Sequence, residues 1–220
     1  MAIEYETASP SNAVLVFSKV PEVGKVKTRL IPALGAEGAA ELYSRLLQRE
    51  IHWLAKEKSY QIQLWLSSNK AHPLIQTLAE DCDFTVHYQQ GSDLGERMFH
   101  AANRALRHYR KVVLIGVDSP PLTVDHIQQT FTWLETEDAV LGPAQDGGYV
   151  LLGLKAAAAE LFRGHNWGTE DVAETTRSAL RSLEWSWREL PLLWDLDRPE
   201  ELIKLKALGI EVDGQDLLLD

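Results

Sequence analysis

Four polar stretches carry residues able to manage charge. The first, KVPEVGKVKTRL at Lys19–Leu30, sets Lys19, Lys25, Lys27 and Arg29 around Gly24, directly after the apolar run Ala13–Phe17. Cations emerging behind a buried strand suit phosphate oxygens. The spacing excludes two glycine-rich phosphate loops. A P-loop needs glycine immediately before its Lys-Ser/Thr pair, and here Lys27-Thr28 follows Val26. A dinucleotide fingerprint needs three spaced glycines, and Gly24 stands alone until Gly35. A cationic loop shaped by Pro21, Gly24 and Pro32 remains, readable as a phosphate loop or as a solvated basic segment.

The other three stretches carry carboxylates. GVDSPPLT follows the apolar run Val112–Ile115 and offers Asp118, with Gly116 permitting close backbone approach. A carboxylate there is a hard oxygen ligand for Mg²⁺ or Mn²⁺. It is equally placed to cap a turn, or a helix opened by Pro120 and Pro121. GPAQDGGYVLLGL brings Asp146 before Gly147-Gly148, a pair that lets a ligand lie against the main chain or closes a plain Asp-Gly hairpin. WDLDRPEEL alternates Asp195 and Asp197 before a proline-started helix, which accounts for one of them as a cap and leaves the other unexplained.

The elements that must position these loops alternate between strand and helix. Short apolar runs predict strands at Ala13–Phe17, Ile62–Leu66, Phe84–Tyr88, Val112–Ile115, Ala139–Leu141, Tyr149–Leu154 and Trp185–Leu190. Apolar spacings of three and four predict helices over Ala36–Trp53, Pro73–Ala79, Leu94–Tyr109, Val124–Leu134, Ala156–Phe162, Glu170–Leu183 and Pro199–Ala207. Such alternation implies a three-layer α/β/α sandwich on a mostly parallel sheet, with ligands at the carboxyl ends of the strands. Residues 1–12 read as an N-terminal tail and 13–220 as one domain.

The chain is 220 residues long, 45% hydrophobic and 25% charged, with net charge −10, enough for a full core and too acidic for a nucleic-acid or anionic-membrane surface. The basic Lys19–Arg29 segment stands out against that background. Cys82 is the single cysteine, which excludes an internal disulfide and reads as a small buried thiol in a reducing compartment. The opening MAIEYETASPSN has no apolar signal core, and no run reaches the length of a membrane span, so a cytoplasmic protein is expected. None of the seven histidines falls in a metal-ligand spacing. Trp185, Trp187 and Trp194 read as core or interface, and the seven tryptophans together with the apolar Leu217–Leu219 hint at a homodimer.

Taken together, FSKVPEVGKVKTRL, LGERM, GVDSPPL, GPAQDGGYVLLGL, NWGT and DLDRPEEL resemble successive motifs of the DUF2064 family, over about Ala13–Leu205. That family is of GT-A type, similar to nucleotide-diphospho-sugar transferases. Its wider superfamily includes molybdenum-cofactor nucleotidyltransferases and phospholactate guanylyltransferase, whose Lys-Ser/Thr-Arg-Leu turn is matched by Lys27–Leu30. The resemblance implies that Phe17, Lys19, Gly24, Lys27, Thr28, Arg29, Gly95, Arg97 and Asp118 line the nucleotide. Gly91, Asp93 and Met98 are implied along the same cleft, and Asp146, Gly147, Gly148, Trp167 and Thr169 at an acceptor pocket, where Trp167 offers a flat face or is simply core. Asp118 is implied as the main ligand of Mg²⁺ or Mn²⁺. It stands where relatives carry Asp-x-Asp, so a second carboxylate must come from Asp197 or Asp195.

The implied chemistry is metal-dependent transfer of a sugar from a nucleotide-diphosphate sugar to a small-molecule acceptor. Lys27 and Arg29 would neutralise the leaving group, and Asp146 would position or deprotonate the acceptor hydroxyl. Nucleotidyl transfer from a nucleoside triphosphate with release of pyrophosphate is the alternative, and a non-catalytic nucleotide binder is a third.

Overall fold

A computed structural model describes residues 11–208. Seven strands, β1 (Asn12–Ser18), β2 (Gln61–Leu66), β3 (Thr85–Tyr88), β4 (Lys111–Gly116), β5 (Ala139–Pro143), β6 (Tyr149–Leu154) and β7 (Trp187–Glu189), form one sheet in the order β3-β2-β1-β4-β6-β5-β7. β6 runs antiparallel to its neighbours β4 and β5, and every other pairing is parallel. Because side chains alternate across a strand, β1 sends Val14 and Val16 to one layer and Ala13 and Leu15 to the other.

The first layer holds α1 (Ile31–Leu54), α2 (Pro73–Asp81) and α4 (Val124–Trp133), through Tyr43, Leu47, Ile51, Leu78, Ile127 and Phe131. The second holds α3 (Leu94–Ala105) and α5 (Val172–Ser182), through Met98, Ala101, Ala102, Ala173 and Leu180. α6 (Leu202–Ala207) packs Leu202 and Leu205 with Leu30, Leu42 and Leu46, away from the sheet. The expected sandwich is thus present.

Boundaries depart from the apolar pattern where local chemistry overrides it. Ala156–Phe162 is not a helix but a 3-10 turn at Ala159–Leu161; so short a segment, followed by Gly164 at φ +74°, cannot offset the cost of helix nucleation. The Pro199–Ala207 helix splits into a 3-10 turn at Pro199–Glu201 and the shorter α6. α1 begins five residues early, with a proline in its first turn and a break at Gly35 (φ 72°, ψ 170°). α4 starts at Val124, and the Thr123 N–H donates to His126 Nδ1 at 3.1 Å, so Pro120 and Pro121 do not open it and Asp118 does not cap it. Cys82 is half-buried rather than fully buried, and burial raises its thiol pKa. No described helix is long and apolar enough to cross a membrane. Leu217–Leu219 and most of the N-terminal tail lie outside the described residues.

Candidate functional site

The carboxyl ends of β1 and β4 open on a cleft of about 590 Å³. Its first wall is the cationic loop. Tyr43 on α1 supports that wall from below, its hydroxyl accepting from the Lys19 N–H at 2.9 Å and bonding Ser18 Oγ at 3.0 Å. Lys27 adopts a left-handed backbone (φ 46°, ψ 41°), a conformation costly for a side-chain-bearing residue. This turn drives its side chain inward to 3% exposure. The ammonium donates to the Leu196 carbonyl at 2.6 Å and to Asp197 Oδ1 at 3.3 Å. Arg29 Nη1 donates to Asp197 Oδ2 at 3.2 Å.

The second wall joins the β4 exit to the segment after β7. Leu196 N–H donates to the Asp118 carbonyl at 2.8 Å, and Ser119 Oγ to the Trp194 carbonyl at 3.0 Å. Leu193 N–H bonds the Pro143 carbonyl and Gln145 N–H the Leu193 carbonyl, laying the same segment along the end of β5. These main-chain bonds carry Asp195 and Asp197 to Asp118 across nearly 80 residues of sequence. Neither aspartate is a cap: Glu201 reaches back to accept from the N–H groups of Asp197 and Arg198.

Asp118, Asp195 and Asp197 differ in their partners. Asp197 has both oxygens engaged by Lys27 and Arg29. Asp118 Oδ1 lies 2.5 Å from Lys27 Nζ as an ion pair, yet accepts no aligned hydrogen bond. Asp195 Oδ1 is buried with no hydrogen-bond partner among the described residues. Burial, then the charges of Asp146, Asp118 and Asp197, push the Asp195 carboxyl up to about 8, against a smaller opposing effect of Lys27. Asp195 Oδ1, buried without a hydrogen-bond partner, and Asp118 Oδ1, paired only electrostatically with Lys27, line one cleft with the cationic loop and fit a hard divalent ion that takes the rest of its shell from phosphate and water. Among the described residues no group of three or more His, Cys, Asp or Glu side chains is arranged to hold a metal ion, so Asp118, Asp195 and Asp197 do not form a complete protein cage.

The far half of the cleft is apolar. Leu94, Met98, Tyr149, Trp167 and Val172 line it, with Arg97 at the rim. His165 stacks behind Trp167 at 4.6 Å and 11°, and Tyr149 meets the indole edge-on at 6.4 Å. His165 Nε2 pairs with Thr176 Oγ1 at 3.0 Å, and burial lowers the pKa of its ring. Asp146 borders this half. Its Oδ1 accepts from Gly148 N–H at 2.9 Å, so it both closes the β5–β6 turn and lines the cleft.

Of the residues anticipated from sequence, Phe17, Lys19, Lys27, Thr28, Arg29, Arg97, Met98, Asp118, Asp146, Gly148, Trp167, Thr169, Asp195 and Asp197 line one cleft. Gly24, Gly95 and Gly147 do not line it and act on its shape. Gly147 has φ +86°, and a Cβ there would stand 2.1 Å from the Glu170 carbonyl oxygen. Gly24 turns the loop at φ +74°. Asp93 caps α3 by accepting from Glu96 N–H, and Gly91 accepts from Arg97 Nε at its carbonyl. Tyr43, Gln89 and His165 were not anticipated. Gln89 had one signal, its place directly after β3; Tyr43 looks like any other apolar-face residue of α1.

Six strands in one direction with β6 reversed, and a strand-end cleft between a cationic loop and aspartates, place this chain in the nucleotide-diphospho-sugar transferase class of α/β folds. The profile described as "uncharacterized protein conserved in bacteria (DUF2064)" matches residues 50–169, and the chain belongs to that family. A crystal structure from Desulfovibrio desulfuricans G20, provisionally named a nucleotide-diphospho-sugar transferase, is 34% identical, with TM-score 0.79 over 86% of this chain and 83% of that one. The 4-diphosphocytidyl-2C-methyl-D-erythritol synthase of Anaerococcus prevotii DSM 20548 shares the fold at 11% identity, with TM-score 0.59 over 92% and 100% of the two chains. Rv0371c of Mycobacterium tuberculosis H37Rv, in complex with manganese, does so at 12% identity, with TM-score 0.51 over 89% and 97%. The sequence matches no curated protein.

Proposed function

We propose that this protein is a metal-dependent transferase that moves a sugar from a nucleotide-diphosphate sugar to a small-molecule acceptor. The observation that carries the reading is the meeting of Lys27 and Arg29, from the loop after β1, with Asp118 and Asp195 in one cleft. The name of the 34%-identical relative supports it.

Lys19 and Arg29, exposed at the mouth, attract the diphosphate and hold its outer oxygens. Asp118, with Asp195 or Asp197, would hold Mg²⁺ or Mn²⁺; Asp195 is favoured as the second ligand because its Oδ1 has no hydrogen-bond partner among the described residues, whereas both Asp197 oxygens are engaged by Lys27 and Arg29. That ion, when bound, supplies Lewis-acid neutralisation of the departing diphosphate. Trp167 and Tyr149 offer flat apolar faces to the acceptor or sugar and exclude water from that half. The acceptor hydroxyl bonds to the anomeric carbon as the carbon–diphosphate bond breaks, and Asp146 Oδ2, the oxygen not holding the turn, receives its proton. The Gly148 N–H holds that carboxylate through its Oδ1, and Gly147 lets the turn pass close against Glu170.

One observation favours a second reading. Lys27 and Arg29 lie two residues apart beside the metal seat, an arrangement suited to a triphosphate tail and hence to nucleotidyl transfer. Incubation with Mn²⁺, candidate sugar nucleotides or nucleoside triphosphates, and a pool of hydroxylated acceptors separates the two. Release of nucleoside diphosphate supports the proposal, and release of pyrophosphate supports the second reading. Binding with no turnover by either route would leave a nucleotide binder.

A further inference from the structure

We infer that the Lys27 ammonium is the resident cation of the Asp118 seat, held there until a divalent ion displaces it toward the donor's phosphates. The inference rests on the reading of Asp118 as a metal ligand and adds a role for Lys27 that a phosphate contact does not require. A lysine waiting for phosphate in an open cleft should stay exposed, as Lys25 of the same loop does even while pairing with Glu22 Oε2 at 3.0 Å. Lys27 does the opposite. Its side chain is 3% exposed and its nitrogen stands 2.5 Å from Asp118 Oδ1, 3.3 Å from Asp197 Oδ1 and 2.6 Å from the Leu196 carbonyl oxygen. Two carboxylate oxygens and a main-chain carbonyl are the donor set of a hard cation, and here the chain's own ammonium takes that place.

The local backbone also marks a position set against its own preference. Lys27 occupies left-handed space at φ 46°, one of two non-glycine residues to do so among the described residues. A strained turn persists when surrounding contacts hold it, and here they include the two ion pairs, the bond to the Leu196 carbonyl and the Leu30 N–H donated to the Lys27 carbonyl at 2.8 Å. Asp118 Oδ1 accepts no aligned hydrogen bond from the ammonium beside it, so charge rather than a directed bond holds this pair.

A divalent ion on Asp118 and the Lys27 ammonium cannot share these oxygens, because like charges at such separation repel strongly in a partly buried site. Metal binding must therefore release Lys27. The released ammonium then finds its compensation on phosphate, so metal and donor favour one another. Metal alone binds weakly, since it must evict the lysine with nothing to receive it.

The test is Mn²⁺ binding without nucleotide, read from the free-ion electron paramagnetic resonance signal, on the full chain. Lys27→Met and Lys27→Gln should bind Mn²⁺ at least about tenfold more tightly than wild type. Lys25→Met, which removes the same charge from the same loop, should change affinity less than about twofold. Lys27→Arg should stay near wild type, and Asp118→Asn should lose the site. Equal or weaker Mn²⁺ binding in both neutral Lys27 variants overturns the inference while leaving the metal seat intact. Absence of Mn²⁺ binding in every protein, with a nucleoside diphosphate present as well, overturns the seat and this inference together. Should the neutral variants fail to fold, the Nζ resonance of wild-type Lys27 serves instead: loss of its buried signal on Mg²⁺ titration is expected, and an unmoved signal in a metal-bound protein refutes displacement.

Discussion

Gly95 lies behind the apolar half of the cleft, against Phe162 and Trp167, without lining it, so its substitution should separate stability from phosphate binding. A Cβ at this position would stand 2.2 Å from the Phe162 carbonyl oxygen, 2.8 Å from Trp167 Cζ2 and 3.0 Å from Trp167 Nε1. The nearest of these is main chain, which cannot swing aside as a side chain can. Gly95→Ala must therefore push α3 off the segment after β6 by about 1 Å, at roughly 3 kcal/mol, the upper part of the range for overpacking. For a chain of this length, about 2–4 °C per kcal/mol gives a fall in Tm of roughly 6–12 °C. Calorimetry reads the fall, and titration with a nucleoside diphosphate reads the other half of the cleft, where affinity should stay within about threefold because Lys19, Lys27 and Arg29 sit on the loop after β1, not on α3. A Gly95→Ala/Trp167→Ala double variant should recover little, since the Phe162 carbonyl stays in place. An unchanged Tm, or full recovery in the double variant, would refute the claim that main-chain contact fixes α3 at this position.

The phenol of Tyr43 should matter to the phosphate loop. Tyr43→Phe leaves the Lys19 N–H without its acceptor, at about 1–3 kcal/mol, and urea denaturation should show that loss together with weaker nucleotide binding. Glu50 predicts a pH dependence. It is buried on α1, and that burial holds its carboxyl well above the ordinary range, with Arg49 opposing and Asp118 reinforcing the effect. The folded protein thus keeps a proton that the unfolded chain releases above about pH 4.5, and stability is lost as pH rises from there. Glu50→Gln has no such proton, so its stability relative to wild type should climb with pH by up to about 1.4 kcal/mol per unit, and denaturation curves at pH 5 and pH 8 that differ equally would contradict this. Nucleotide affinity should fall with added salt because Lys19 and Arg29 are exposed, and a salt-independent affinity would remove them from the phosphate path.

Much of this architecture is legible in the sequence because period and polarity agree. Val112–Ile115 is apolar without interruption and forms β4 at the centre of the sheet, buried on both faces. The end of that strand is where Asp118 falls, so a strand-end carboxylate could be placed before its neighbours were known. Partnership is less legible. Asp195 and Asp197 differ by two positions and look alike in sequence; their difference arises from Leu193, Leu196 and Ser119 main-chain and side-chain bonds that turn one toward cations and the other toward Asp118 and Asp146. The direction of Lys27 was equally hidden, because a left-handed turn at lysine has no signature in residue type. Ala156–Phe162 misled for the opposite reason: its alanines favour helix, but the segment closes on Gly164 before a helix can propagate.

The most direct measurement is the melting temperature with a nucleotide sugar, with and without Mn²⁺, for wild type and Asp118→Asn. A ligand that binds the folded state raises the melting temperature by mass action. The account predicts a rise in wild type that needs both components together, and the loss of most of that rise in the variant. An equal rise without Mn²⁺, or an undiminished one in Asp118→Asn, would contradict a donor site built on a metal at Asp118.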